Sequence, residues 1–128
     1  MKRTFDGAAI VVTALFLLGL AAASILGLLD PQKASAGYGM PVSDAAGALF
    51  YRAFVSRNLV IVAASAVFLV MRLWTPLAIL VTMTAALAAF DMSILSLGGA
   101  TPPAFHAVTL VVIVIAASLL WRRAIRTA

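Results

Sequence analysis

The sequence predicts an all-α integral membrane protein, an antiparallel four-helix bundle with both termini in the cytoplasm. Three observations carry this expectation. Four runs of about 20 apolar residues, each long enough to cross a hydrocarbon core of about 30 Å, fill most of the 128-residue chain. Hydrophobic residues make up 65% of the chain and charged residues 10%, with a mean hydropathy of +1.17. A water-facing surface usually needs about 25% charge, so this composition cannot build one. The basic residues also gather at one side of the expected membrane, as topology signals do.

The expectation is a single membrane domain over residues 1–128, with helices at about 7–29, 44–71, 76–97 and 102–123. The first run follows the charged start Met1-Lys2-Arg3. Ala34-Ser35-Ala36 has the small-residue form of a signal-peptide cleavage site. A signal core is usually 7–15 residues, so the longer run here reads as a retained helix. Gly19, Ala23 and Gly27 fall four residues apart and form a stripe on which a second helix can pack closely. That stripe is the expected face for a homo-oligomer or a membrane partner.

Asp30-Pro31 is read as the end of the first helix, with residues 31–42 as a polar connection containing the turn-rich Gly37-Tyr38-Gly39-Met40-Pro41. Ser43 or Asp44 caps the second helix. Arg72-Leu73-Trp74 leaves so short a turn that helices two and three must be antiparallel neighbours. Thr75-Pro76 and Thr101-Pro102 each read as a cap followed by proline at the first helical position, and Gly98-Gly99 as a helix stop.

Orientation follows from Lys2, Arg3, Arg72, Arg122, Arg123 and Arg126 on one side, against Lys33 in a loop on the other and Arg52 near that boundary. The positive-inside rule makes the first side cytoplasmic, and Trp74 and Trp121 fall at its edge as interfacial aromatics. The expected location is a cell membrane, a bacterial inner membrane in particular.

The net charge of +5 would suggest nucleic acid in a soluble protein. Placed beside apolar helices, the same charges serve topology and lipid headgroups, so the lipid bilayer is the expected partner and nucleic acid is not. The chain has no cysteine, which excludes disulfides, thiolate nucleophiles and thiolate metal sites. One His and four Asp at scattered positions show no metal-ligand spacing, so neither metal nor cofactor is expected.

Arg57, Asp91 and His106 lie inside runs two, three and four. Charge in lipid is costly, so an intramembrane ionisable residue is a functional hypothesis by default. Arg57 is fifteen residues from Arg72, Asp91 fifteen from Pro76 and His106 sixteen from Arg122. At 1.5 Å per residue all three sit roughly 22–24 Å from the cytoplasmic edge, in one layer of the outer half. Asp91 is too short to reach the headgroups and needs a partner, a proton or water. Arg57 is its expected ion-pair partner, and Arg52 an interfacial anchor.

The order Gly37-Tyr38-Gly39-Met40-Pro41, Ser56-Arg57-Asn58, Asp91 and His106 resembles the small four-helix membrane proteins grouped as domain of unknown function 4267. The likeness spans about residues 8–123. Asn58 stands where that family usually has Asp, so the role of that acid would be lost or passed to Asp91. The resemblance implies the fold and the site, and brings no established activity.

Two functions compete on this reading. In the first, an outer-half polar pocket binds a lipophilic small molecule. His106, Asp91 and Arg57 are the candidate catalytic residues there, and Arg57, Asn58, Tyr38 and Tyr51 the candidate binding residues. Arg57 would orient an oxygen or anion, while Asp91 and His106 would handle a proton, His having an ordinary pKa near 6.5. An isomerase-like or hydrolytic reaction fits this, and so does binding without chemistry. In the second, the protein is a structural or accessory membrane subunit, and Arg57–Asp91 is only a clamp between helices.

Overall fold

The computed structural model describes the backbone of residues 2–127 and the side chains of residues 7–127; Met1 and Ala128, and the side chains of Lys2 and Arg3, lie outside the described residues. Among the described residues five helices follow one another: α1 (Lys2–Leu29), α2 (Pro31–Tyr38), α3 (Ala45–Val70), α4 (Trp74–Leu97) and α5 (Ala104–Thr127). Four stretches, Gly7–Leu29 of α1 and the whole of α3, α4 and α5, are long and apolar enough to cross a membrane, which makes this a multi-pass membrane protein. Helix is the form such segments must take, because lipid offers no partner to an unpaired backbone group.

The expected four-helix bundle is therefore corrected to a five-helix architecture. The extra helix lies where a polar connection was expected, and its cause is local. The Asp30 side chain accepts from the Lys33 backbone N–H at 3.0 Å, and Pro31 occupies the first helical position, where its missing N–H costs nothing. At the other end Gly39 turns left-handed at φ 95°, its N–H bonded to Ala36 O and the Met40 N–H to Ser35 O. That pairing is a Schellman stop. Ser35, read from sequence as part of a cleavage-like motif, is fully buried within α2 and accepts from the Val42 N–H at 3.1 Å.

The other helix ends also show which signals the fold uses. Asp44 caps α3, its carboxylate accepting from the Gly47 N–H at 2.6 Å. Thr75 and Thr101 do not act as the expected caps. The residue before α4 is Leu73, with no side-chain cap, so Pro76 sits inside the first turn, where backbone N–H groups have no intrahelical partner. α5 starts only at Ala104, beyond both prolines at 102 and 103. The α3–α4 turn is tight enough to hold Arg72 at φ 57°.

The long helices form a ring in which α1 packs against α3 and α5, and α4 against α5 and, less extensively, α3. α2 lies against α1 and α3 at the end where α1 stops. The well-packed core sits toward the opposite, arginine-rich end: Trp74, Leu77, Ala78 and Val81 of α4 meet Ile113, Ala116, Ala117, Leu120 and Ala124 of α5, closed by Phe16 and Leu17 of α1. Trp74 belongs to this core at 8% exposure, and its ring lies 3.8 Å below the Arg123 guanidinium. Large apolar side chains such as Phe50, Val70, Phe90 and Leu97 cover the outer surface, as lipid-facing residues do.

Candidate functional site

With the core filling one end of the ring, the α2 end is left open. A cleft of about 850 Å³ lies there, and all five helices contribute to its walls. α1 supplies Leu15, Gly19, Leu20 and Ala23; α5 supplies Val108, Thr109 and Val112; α3 supplies Tyr51, Phe54, Val55 and Asn58. The α3 positions recur at helical spacing and define one inward stripe. Arg57 lies off that stripe and is exposed.

Tyr38, the last residue of α2, joins three helices. Its hydroxyl donates to Asp91 Oδ2 of α4 at 2.6 Å, and its backbone carbonyl accepts from His106 Nε2 of α5 at 2.9 Å. The Schellman stop leaves this carbonyl unused by the helix, so Gly39 supplies the imidazole's acceptor by ending α2 there. A carbonyl only accepts, so Nε2 carries a proton and Nδ1 is the acceptor of the neutral ring. The phenol ring stands edge-on to His106, with centroids 4.5 Å apart, and near Phe54 and Tyr51 at 5.6 and 6.4 Å. Burial first, and then the neighbouring Asp91 carboxylate, push the Tyr38 phenol well above its ordinary pKa of 10.

Asp91, His106, Tyr38, Tyr51 and Asn58 all line the cleft. Arg57 does not, and among the described residues no ion pair joins it to Asp91. The expected Arg57–Asp91 pair is corrected accordingly: Asp91 takes its hydrogen bond from Tyr38, and the helical phase of α3 turns Arg57 away while presenting Asn58. Equal depth along two helices did not mean facing sides. Arg52, the expected anchor, donates from Nε to Leu28 O at the end of α1, at 3.1 Å.

Among the described residues, the second Asp91 oxygen, His106 Nδ1 and the Asn58 amide make no hydrogen bond. Three polar groups with bonding capacity unspent thus line a mostly apolar space. No set of three His, Cys, Asp or Glu among the described residues converges as metal ligands.

Of the small-residue stripe of α1, Gly27 packs inside the fold while Gly19 and Ala23 are exposed. Gly27 is buried against α3, where a Cβ would come within 2.9 Å of Val55 Cγ1 and 3.1 Å of Tyr51 Cε1, while Gly19 and Ala23 line the cleft. Sequence reasoning also missed Phe54 and Phe105, which join the aromatic wall. Tyr51–Phe54 spacing was a visible signal for the first, and nothing local marked the second.

Compared with protein family models, curated proteins and solved structures, the chain matches none. The resemblance to domain of unknown function 4267 is thereby overturned: short motifs in a shared order did not amount to a family match, and the fold has five helices.

Proposed function

We propose that this membrane protein binds a lipophilic small molecule in the cleft, with the apolar body against α1 and α5 and a polar group at Asn58, Asp91 and His106. One observation carries the reading: a cleft of about 850 Å³, within the 300–1,000 Å³ usual for small-molecule sites, has apolar walls and a few convergent polar groups with unspent hydrogen-bonding capacity. The lysine and arginine distribution supports an outward-facing cleft, with α2 on the outer side and the Arg72 and Arg122–Arg126 end in the cytoplasm. The clamp reading loses its basis, since Arg57 and Asp91 form no pair.

Tyr38 positions Asp91 and His106 and does not meet the ligand through its hydroxyl, which is already committed. Asp91 accepts a ligand proton or hydrogen bond through its second oxygen, and His106 does so through Nδ1. Photolabelling tests the location. A diazirine-bearing lipophilic amphiphile in nanodiscs should label peptides around Asn58 and Thr109 saturably, and Ala23→Phe, which projects a ring into the cleft, should abolish that labelling. Labelling confined to the lipid-facing Phe50 and Leu97, or unchanged by the plug, would overturn the proposal.

A further inference from the structure

The cleft's polar end is built for one sign of charge. Among the described residues, the only ionisable acid within the spans that lines it is Asp91, with one oxygen unspent. The His106 imidazole spends its Nε2 proton on the Tyr38 carbonyl, which leaves Nδ1 for the cleft. Arg57, the cation that would have recognised an anion, lies outside the lining. At the mouth Asp30 and Lys33 line the cleft together and offset each other in charge.

Aromatic rings line the same cleft as this carboxylate. Tyr38, Tyr51 and Phe54 form a cluster with centroids 5.6–6.4 Å apart, and Phe105 stacks obliquely on His106 at 4.2 Å. All four rings line the same space. Aromatic faces attract organic cations through the ring quadrupole, more strongly when water is excluded, and they offer an anion nothing comparable. A carboxylate and aromatic rings together in an apolar cleft make a cation site with a lipophilic remainder.

Resting on the cleft reading above, we infer that the ligand class is the lipophilic amine or quaternary ammonium, with Asp91 as its counter-ion and Tyr38, Tyr51, Phe54 and Phe105 as its aromatic surround. Tyr38 orients the carboxylate by holding one oxygen, leaving the other for the cation. The apolar side of the cleft takes the hydrocarbon body. A neutral alcohol of the same shape satisfies only the hydrogen bond, and a carboxylate of the same shape meets Asp91 with like charge.

Three probes sharing one body test this: pyrenebutyltrimethylammonium, pyrenebutanol and pyrenebutyrate, equilibrated with the full chain in zwitterionic nanodiscs against empty nanodiscs. The ammonium should bind saturably, at least about tenfold more tightly than the alcohol, and the butyrate should show no saturable binding. Asp91→Asn, which keeps an acceptor for Tyr38, should weaken the ammonium at least about tenfold and leave the alcohol within about twofold. Phe54→Leu should weaken the ammonium alone. Equal binding of all three probes, abolished by Ala23→Phe, would overturn the cation inference and leave the cleft reading standing. Tighter butyrate, or ammonium binding indifferent to Asp91→Asn in a variant with unchanged thermal unfolding, would overturn it too. Absence of saturable binding by any probe would overturn both.

Discussion

Removing the Tyr38 hydroxyl tests the bridge on which the cleft's polar end depends. Tyr38→Phe keeps the ring contacts with Tyr51, Phe54 and His106 and deletes only the bond to Asp91 Oδ2. At 2.6 Å that bond falls in the short range of an O–H donating to a carboxylate. Hydrogen bonds to charged groups contribute about 1.5–3 kcal/mol, whereas interhelix bonds in membranes average about 0.6. The loss on Tyr38→Phe should therefore be about 1.5–3 kcal/mol. Asp91→Ala should cost a similar amount, because it strands the half-buried phenol. In the double variant the second change has no bond left to break, so the pair should show a coupling above about 1 kcal/mol. Reversible unfolding by SDS titration, followed by far-ultraviolet circular dichroism, measures all four corners of the cycle. Additivity, or a coupling at or below about 0.6 kcal/mol, would refute a charge-assisted bridge.

Three further outcomes are expected from the same geometry. In a Tyr51→Phe background Tyr38 is the only tyrosine, and its raised pKa keeps the folded phenol neutral; absorbance at 295 nm should stay flat through pH 11 and rise only on unfolding. The sign is that of a folded pKa above the unfolded one: the stability tied to the neutral phenol is complete below about pH 10 and is lost as pH climbs beyond it, so a stability gain above pH 10 would contradict it. Gly27→Ala should destabilise by about 1–3 kcal/mol in SDS titration, because the stiff Val55 must move, while Gly19→Ala, with no atom within 4 Å, should not destabilise. A cysteine at the exposed Gln32 should react with an impermeant maleimide from outside the cell, and one at Thr127 only after permeabilisation; the reverse pattern would invert the orientation.

Span length was legible because a bilayer imposes it, and the apolar runs had no other use in water. The Asp44 cap was legible for an equally direct reason, as a side-chain acceptor just before an apolar helix. Cap-then-proline was a less reliable guide. Thr75-Pro76 and Thr101-Pro102 carried the signal without the structure using it. Asp30-Pro31 carried the same signal, and there it opened the missed helix α2. The eight residues Pro31–Tyr38, stopped by Gly39, make two turns, a length too short for apolar periodicity to reveal.

The candidate site was legible as depth but not as azimuth. Counting residues from the arginine-rich end placed Arg57, Asp91 and His106 in one layer, and Tyr38 does span the gap between Asp91 and His106. Nothing in a residue count says that Arg57 and Asn58, a 100° step apart, divide into an outward and an inward side. That distinction takes Arg57 out of the cleft lining and leaves Asn58 in it.

Native mass spectrometry of the protein, released from mild detergent in the gas phase, tests the central claim most directly. The wild-type chain should retain one lipophilic adduct per protein, and Ala23→Phe, folded by circular dichroism, should retain none. A bare wild-type chain, or the same adduct held equally by the plugged variant, would contradict a small-molecule site in the cleft.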